Sequence, residues 1–242
     1  MLLIGEPVLD HECRQVFDLP ALQLSVTEHQ AEIKRCPVSG RKVSAPFPPG
    51  VLAPVQYGPN FRGLTLYLFN QQLLPFDRLR QTCLDLFGQS LSLGTLTQTN
   101  QCAYHALDSV ESATIRGITQ AAVVHVDESG LRVAGSLHWL HVACTPATNL
   151  LDRLEDYDLS VLAFLIDPKV PFTNYQGEQD IRMIKVKQKI SGCFRTLDGA
   201  QVFARIRGYL STCRKQGHSL WDACRRLVLG QPFMPDAAPS GP

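Results

Sequence analysis

The sequence AAVVHVDESGLRVAGSLHWLHVAC, residues 121–144, decides the fold of this chain. It begins with an apolar, β-branched run at residues 121–126, which predicts a strand. A hairpin follows, with strands at 131–134 and 137–144 joined by a tight glycine turn. The segment therefore predicts three antiparallel strands, and it places Asp127 at the end of the first strand, where the chain turns.

Asp127 is a candidate ligand for a divalent cation, because a carboxylate at a strand end is held in place. Hard cations such as Mg²⁺ need several oxygen ligands, so a partner is required. Glu178 is the best candidate, one turn into a predicted helix that Asn174 would cap. Turn chemistry and the helix dipole also favour acids at such positions, so the spacing alone leaves a structural role open. Glu128 is a weaker candidate, because alternation directs it to the opposite face of the strand.

The composition is that of a globular protein. The chain has 242 residues, of which 45% are hydrophobic and 19% charged, enough for one large or two small domains. It has no run of eighteen apolar residues, and its first residues lack the basic flank and length of a signal peptide. We therefore expect a soluble cytoplasmic protein with no membrane partner. The eight cysteines are scattered without a paired framework, which favours reduced thiols over disulfides.

Basic residues are concentrated near the C-terminus. Residues 182–226 contain eleven basic and two acidic side chains, a charge of +9 in a chain whose net charge is +1. Such a segment favours a polyanion partner, most simply DNA, although a solvated helix face packed against an acidic neighbour is the alternative. The candidate DNA-binding residues are Arg182, Lys185, Lys187, Lys189, Arg195, Arg205, Arg207, Arg214 and Lys215.

Residues 19–120, which precede the segment at 121–144, fall into three parts. Residues 19–26 alternate in part and predict a strand, which residues 27–34 would continue as an edge hairpin. Six prolines within 36–59 predict a linker or an extended arm. Residues 60–120 show helical spacing. Within them, we expect Pro75 to break the first helix, Gly88 to end the second and Ser92 to cap a third that contains Leu107. A helix-turn-helix and an ordinary helical hairpin both fit this pattern.

Helices also dominate the remainder of the chain. An amphipathic helix is predicted at 150–166, two basic helices near 176–189 and 200–215, and a shorter one near 220–229. The predicted domains are a segment with short strands at 1–45, a Pro-rich linker at 46–59, a helical region at 60–120, a three-stranded sheet at 121–149, a basic helical part at 150–234 and a tail at 235–242.

Two long stretches carry a family resemblance. VVHVDESGLRVAGSLHWLHVACT resembles the first catalytic block of the DDE transposases of the insertion-sequence-sixty-six family, and VPFTNYQGEQDIRMIKVKQKISGCFRTLDGAQVFARIRGYLSTCRKQG resembles their C-terminal block. Similarity extends over nearly all of residues 13–234. It implies a ribonuclease-H-like core, Mg²⁺-dependent strand cleavage and joining, and binding to transposon-end DNA. By this match, Asp127 corresponds to the first catalytic aspartate and Glu178 to the final glutamate, both as Mg²⁺ ligands.

The chain also departs from the family pattern. The family places a fourth strand and the second catalytic aspartate between the two blocks, whereas this chain runs from CTPATNLL almost directly to LDRLEDYDLS. We find no second apolar β segment between Cys144 and Glu178. The predicted fold is therefore α+β, with an incomplete ribonuclease-H-like core in which helices cover a three-stranded antiparallel sheet. Asp152, Asp156 and Asp158 are predicted on the polar face of the 150–166 helix and resemble no family ligand. In the C-terminal block, Tyr175 and Gln179 replace the usual asparagine and arginine.

RQVFDLPALQLSVTEHQAEIKRCP resembles the zinc-binding region that precedes the catalytic core of the family, which implies that residues 1–45 are a degraded zinc-binding remnant. Structural zinc needs four cysteine or histidine ligands, typically from two CxxC pairs. Cys36 is the first cysteine of such a pair, but Ser39 stands in place of the second. Cys13 and His29 are nearby, yet no upstream CxxC exists, so we expect no bound zinc.

Three interpretations follow. The first is a DDE transposase that has lost activity, because two carboxylates cannot readily hold both metals. The second is a DNA-binding remnant that occupies transposon ends, self-associates or associates with an intact transposase. The third is a decay product that barely folds.

Overall fold

The computed structural model describes residues 12–20, 22–146, 149–152 and 175–236, and the statements below concern those residues. The strands are β1 (Ile33–Arg35), β2 (Lys42–Ser44), β3 (His125–Val133), β4 (Ser136–Cys144) and β5 (Asn149–Asp152). The helices are α1 (Pro59–Leu66), a π-helix (Tyr67–Gln71), α2 (Phe76–Phe87), α3 (Leu93–Ala106), α4 (Asp108–Thr119), α5 (Tyr175–Ser191), α6 (Leu197–Lys215) and α7 (Leu220–Val228). The predicted α+β class is confirmed. Within these ranges, no helix is long and apolar enough to cross a membrane.

The strand predicted at residues 19–26 is wrong. Those of its residues that the structure describes form no regular element, and the first hairpin is instead β1 paired with β2. The alternating apolar residues Leu22, Leu24 and Val26 have no partner strand. Val26 is 85% exposed, and Leu24 packs against the cluster around α1 and α2. Alternation without a neighbouring strand does not make a strand, because the ladder hydrogen bonds come from the partner.

The helix boundaries of the following region obey local chemistry. Pro75 separates the π-helix from α2, and Gly88 ends α2 in the left-handed conformation, with φ 66°. The hydroxyl of Ser92 accepts the Thr95 N–H at 3.0 Å and caps α3. These three predictions are confirmed. The third helix, however, ends at Ala106, and a separate helix α4 begins after the buried Leu107.

The central sheet has the order β3-β4-β5, with both pairs antiparallel. A three-stranded sheet was predicted, but its strands have different bounds from those predicted. β3 is one continuous strand through DESG, so Asp127 lies inside it and the turn comes later, at Ala134 and Gly135. Acidic and glycine residues disfavour strands locally. Nine cross-strand pairs with the apolar β4 override that preference.

The third strand is β5, which pairs with β4 from Cys144–Asn149 to His141–Asp152. The prediction that a helix begins at residue 150 is wrong, and so is the prediction that no β segment follows Cys144. Asp152 is therefore a strand residue. The rest of the predicted 150–166 helix, with Asp156 and Asp158, lies outside the described residues.

Helix α6 lies at the centre of the molecule. Its residues Val202, Ile206 and Leu210 pack with α1, α3, α4 and α7 in a helical core. Its residues Ala200 and Phe203 pack with β3, β4 and α5 in a second core under the sheet. A third cluster lies around α1 and α2. Because one helix contributes to both larger cores, the sheet and the helical region are joined through α6.

Candidate functional site

Asp127 is the third residue of β3 and pairs with Val142 of β4. Its neighbours on the same face, Ser129 and Leu131, are buried, because that face packs against α5. Asp127 is only partly buried, and its Oδ1 accepts the Glu128 N–H at 2.8 Å. Its carboxylate therefore lies at the margin of the buried face, on the α5 side of the sheet.

Glu128 lies on the other face, as strand alternation predicted. It is exposed, and its Oε2 lies 3.6 Å from Nδ1 of His141 on β4. Since the two acids point to opposite sides of the sheet, they do not act on one ligand. Glu128 serves as a natural internal control for Asp127.

Glu178 is exposed in the first turn of α5. The chain leaving α5 returns to the far end of β3, where the Phe194 N–H donates to the Arg132 carbonyl at 3.1 Å and the Ala134 N–H donates to the Phe194 carbonyl at 2.8 Å. The C-terminal end of α5 is thus tied to the C-terminal end of β3. A 17-residue helix spans about 25 Å, so its first turn lies toward the opposite end of β3, where Asp127 is. Helix and strand carry the two carboxylates to the same end of the sheet.

Asp180, two residues after Glu178, joins the start of α5 to α6. Its side chain is 9% exposed and accepts hydrogen bonds from Ser211 Oγ at 2.7 Å and from Lys215 Nζ at 2.8 Å. Lys215 also donates to the Thr145 carbonyl at 3.1 Å, which ties α6 to the end of β4. The role of Asp180 was not predicted from the sequence. The sequence does contain an indication of this role. Asp180 lies beside the apolar stripe of α5, and a charged residue at such a position is usually buried only when it is paired with an opposite charge.

The buried thiol of Cys144 is affected by charges on both β3 and α5. Burial raises its pKa to about 12; the Lys215 ammonium opposes that shift, and the Asp180 and Asp127 carboxylates add to it. Because Asp127 on β3 and Asp180 on α5 both act on one thiol, the acidic end of the sheet and the start of α5 form one electrostatic environment. A deprotonated Cys144 is disfavoured there, so the thiol is inert.

Five of the nine candidate DNA-binding residues are exposed. Arg182, Lys185 and Lys189 follow Glu178 at intervals of four, three and four, so they lie along one face of α5, which we call the basic stripe. Arg195 and Arg214 are the other two. All five are accessible to a polyanion, and DNA binding by them stays a prediction.

The other four are engaged inside the protein. The Lys187 ammonium lies 4.3 Å from the centre of the Phe69 ring. Arg205 pairs with Asp108 at 2.8 Å and with Glu111. The remaining two are Arg207, which bonds to Gln71, and Lys215, described above. The contacts of Lys187, Arg205 and Arg207 hold α5 and α6 against the helical region, and Lys215 joins α6 to α5 and to the end of β4, so part of the +9 charge has a structural use.

Cys36 lies just after β1, and its Sγ accepts the Ser39 N–H at 3.5 Å. Hydrogen bonds from Ser39 lower the pKa of the Cys36 thiol, and the bond with the Ser39 side chain has the largest effect. Cys13 and His29 are exposed. In the described parts of the chain, no group of three or more histidine, cysteine, aspartate or glutamate side chains could hold a metal ion.

The described molecule is thus an α+β protein with two carboxylates at one end of an antiparallel sheet and a basic stripe beginning beside one of them. The family model described as "Transposase IS66 family" matches residues 54–152 and 145–202, together more than half of the chain. The chain belongs to the IS66 transposase family. The two matched segments overlap at 145–152, in the same place where the resemblance predicts a missing stretch.

One curated relative is similar over a shorter range. It is "Uncharacterized protein y4jO" of Sinorhizobium fredii (strain NBRC 101917 / NGR234), 36% identical over 91 residues. The similarity covers 37% of this chain and 28% of that protein, so the chain matches less than a third of that relative's length. No solved structure matches the chain.

Proposed function

We propose that the protein derives from a DDE transposase, acts on or binds transposon-end DNA, and has lost strand cleavage and transfer. The observation that carries the proposal is the position of Asp127 and Glu178. Strand β3 and helix α5 bring both to one end of the sheet, and the family match covers both elements. The two matched segments meet and overlap at 145–152, which supports loss of the region that supplies a further catalytic aspartate.

The donor set fits one divalent cation better than two. Mg²⁺ is commonly held by one or two carboxylates and completed by water and phosphate oxygens, which Asp127 and Glu178 can satisfy. In-line phosphoryl displacement with two metals needs more protein ligands than these two acids. When bound, Mg²⁺ would supply charge neutralisation at a phosphate. Asp127 and Glu178 would orient it, and the basic stripe would hold the strand.

Cleavage of a terminal-repeat duplex in Mg²⁺ or Mn²⁺ tests the loss of activity. We expect no cleaved strand from the native chain. The informative variants are Asp127→Asn and its matched control Glu128→Gln, which removes the same charge from the next residue on the opposite face. Cleavage that Asp127→Asn abolishes and Glu128→Gln preserves would show that the chain is an active nuclease.

Metal titration tests the same site without relying on activity. Mn²⁺ binding followed by electron paramagnetic resonance should show a weak single site in the native chain and in Glu128→Gln. Asp127→Asn should lose it. Equal binding by both variants would place the metal elsewhere.

A DNA-binding protein without catalysis is the second candidate, and the exposed basic stripe favours it. Such a protein would occupy transposon ends, self-associate or modulate an intact transposase. Replacing Arg182, Lys185 and Lys189 by glutamine should weaken duplex binding and flatten its dependence on salt, since fewer counterions are released. A fluorescence anisotropy series in NaCl measures both quantities. Affinity that does not respond to salt would rule out this mode of binding.

A further inference from the structure

A cavity of about 360 Å³ lies between α5, α6 and the π-helix. Its described lining includes four basic side chains, from Arg182, Arg207, Arg214 and Lys215, and one acidic side chain, from Asp180. Lys215 and Asp180 are paired at 2.8 Å, so their charges largely offset each other. Three arginines remain. A cavity of this size accommodates a small ligand, and these charges favour an anion.

Arg207 is the buried member of this set, with 5% of its surface exposed. Its partners within the described residues are neutral: the Gln71 side-chain oxygen and the Asn70 carbonyl, the latter at 3.4 Å. No ion pair to a carboxylate is found for it there. A buried guanidinium whose charge is not balanced is costly, and an anion in the adjoining cavity would balance it.

Arg214 lies two helical turns after Arg207 on the same face of α6. Burial, followed by the neighbouring Arg214 charge, lowers the pKa of Arg207 to about 10 despite the opposing effect of Asp180. The two guanidinium groups, which both line the cavity, therefore repel each other. An anion placed between them would turn this repulsion into two charge-assisted contacts.

The π-helix supplies Gln71, the neutral partner of Arg207. Tyr67–Gln71 interrupts the normal helical spacing directly after α1, and this places Gln71 on the Arg207 guanidinium. The next buried residue, Leu73, has φ 59°, which is unfavourable for a bulky side chain. π-Helices and strained backbone both concentrate at functional sites. Here both lie beside Gln71, the hydrogen-bond partner of Arg207.

We propose that this cavity binds a phosphate group, held by Arg207 and Arg214, with the exposed lining residue Arg182 as a third contact. The phosphate can come from the backbone of a DNA strand, in which case the site deepens the proposed function, or from a free phosphate or nucleotide. Arginine suits this role because its planar fork of N–H donors matches phosphate oxygens.

The test compares Arg214→Gln with Arg78→Gln in the full-length chain. Both residues are exposed on helices and lose the same charge, but Arg78 lies on α2, outside the lining. Thermal melting in inorganic phosphate, against chloride at equal ionic strength, reports ligand stabilisation. Duplex binding by fluorescence anisotropy is the second readout. We expect Arg214→Gln to weaken the affinity for phosphate by roughly tenfold, as for a lost hydrogen bond to a charged group, and Arg78→Gln to leave it unchanged.

The two readouts separate the outcomes. A loss of phosphate binding in Arg214→Gln alone supports the site, and a parallel loss of DNA affinity identifies the DNA backbone as the source of the phosphate. A loss of DNA affinity with unchanged phosphate binding would show a surface contact only and would contradict the cavity site. Arg214-dependent phosphate binding without DNA binding by any variant would refute the proposed function and leave the cavity site standing. If Arg214→Gln matches Arg78→Gln in both assays, the cavity site is wrong, even when DNA still binds.

Discussion

At the scale of single residues, the main departure from expectation is the number of charges inside the protein. Lys187 and Arg207 are 6% and 5% exposed, and the side chain of Asp180 is 9% exposed. From residue type alone, such residues are expected at the surface, because most lysines, arginines and aspartates are exposed. The structure instead uses them between α5, α6 and the π-helix. Their effect on stability can be measured, and Lys187 is the clearest case.

Lys187→Met should raise the free energy of unfolding at pH 7 by about 1–2 kcal/mol. Burial lowers the pKa of Lys187 from 10.5 to about 8, so below pH 8 the native state carries a charge that the interior disfavours. Attraction to the Phe69 ring offsets part of that cost. Between about pH 8 and 10.5, the unfolded state binds more protons than the native state, so the native chain gains stability as pH rises. The advantage of the methionine variant should shrink over that window.

Urea denaturation at pH 7 and pH 10 measures this change. Lys185→Met on the exposed face of the same helix is the control, and we expect its effect to stay within about 0.5 kcal/mol at both pH values. A stabilisation by Lys187→Met that is the same at both pH values would show that the charge of Lys187 is not its cause.

At the scale of elements, the sequence predicted what short-range chemistry determines. The ends at Pro75 and Gly88 and the cap at Ser92 depend on a few neighbouring residues, and all three are confirmed. The course of β3 through DESG and the existence of β5 depend on pairing with β4, which single-sequence patterns do not contain. The same limit explains Asp180, whose partners Ser211 and Lys215 are distant in sequence. Asp127 and Glu178 were selected from the sequence, whereas their shared end of the sheet became apparent only from the path of α5.

Ala134→Asn should stabilise the β3-β4 hairpin by about 0.5–1 kcal/mol. Ala134 and Gly135 have φ 48° and 86°, so the two-residue turn is of type I′, in which both central residues have positive φ. Asparagine tolerates that conformation better than alanine, and Asn-Gly is the preferred pair. The midpoint of urea unfolding measures the effect. Ala134→Val should move it the other way, because a β-branched residue is strained at positive φ; a shift of both variants in one direction would contradict the turn type.

At the scale of the whole molecule, α6 determines whether the protein behaves as one unit. It contributes Ile206 and Leu210 to the helical core and Phe203 to the core under the sheet. Ionic contacts reinforce this, since Arg205 joins α6 to α4 and Lys215 joins it to α5. A decay product that barely folds would not form two cores joined through one buried helix. Cooperative unfolding therefore separates a folded protein from a decay product.

The two tryptophans make this test direct, because Trp139 lies on β4 and Trp221 on α7. With Trp139→Phe and Trp221→Phe, each remaining tryptophan reports one side of α6, and we expect the two urea midpoints to coincide. Ile206→Ala should lower both midpoints together, at a cost of about 2–5 kcal/mol, since Ile206 is fully buried. Ile115→Ala, at a position that is 43% exposed, should change neither appreciably. Two separate midpoints would mean that the sheet folds independently of the helices, and broad, probe-dependent curves would support decay. A single shared transition would establish that the sheet and the helices form one folded protein, which holds Asp127, Glu178 and the basic stripe in fixed positions.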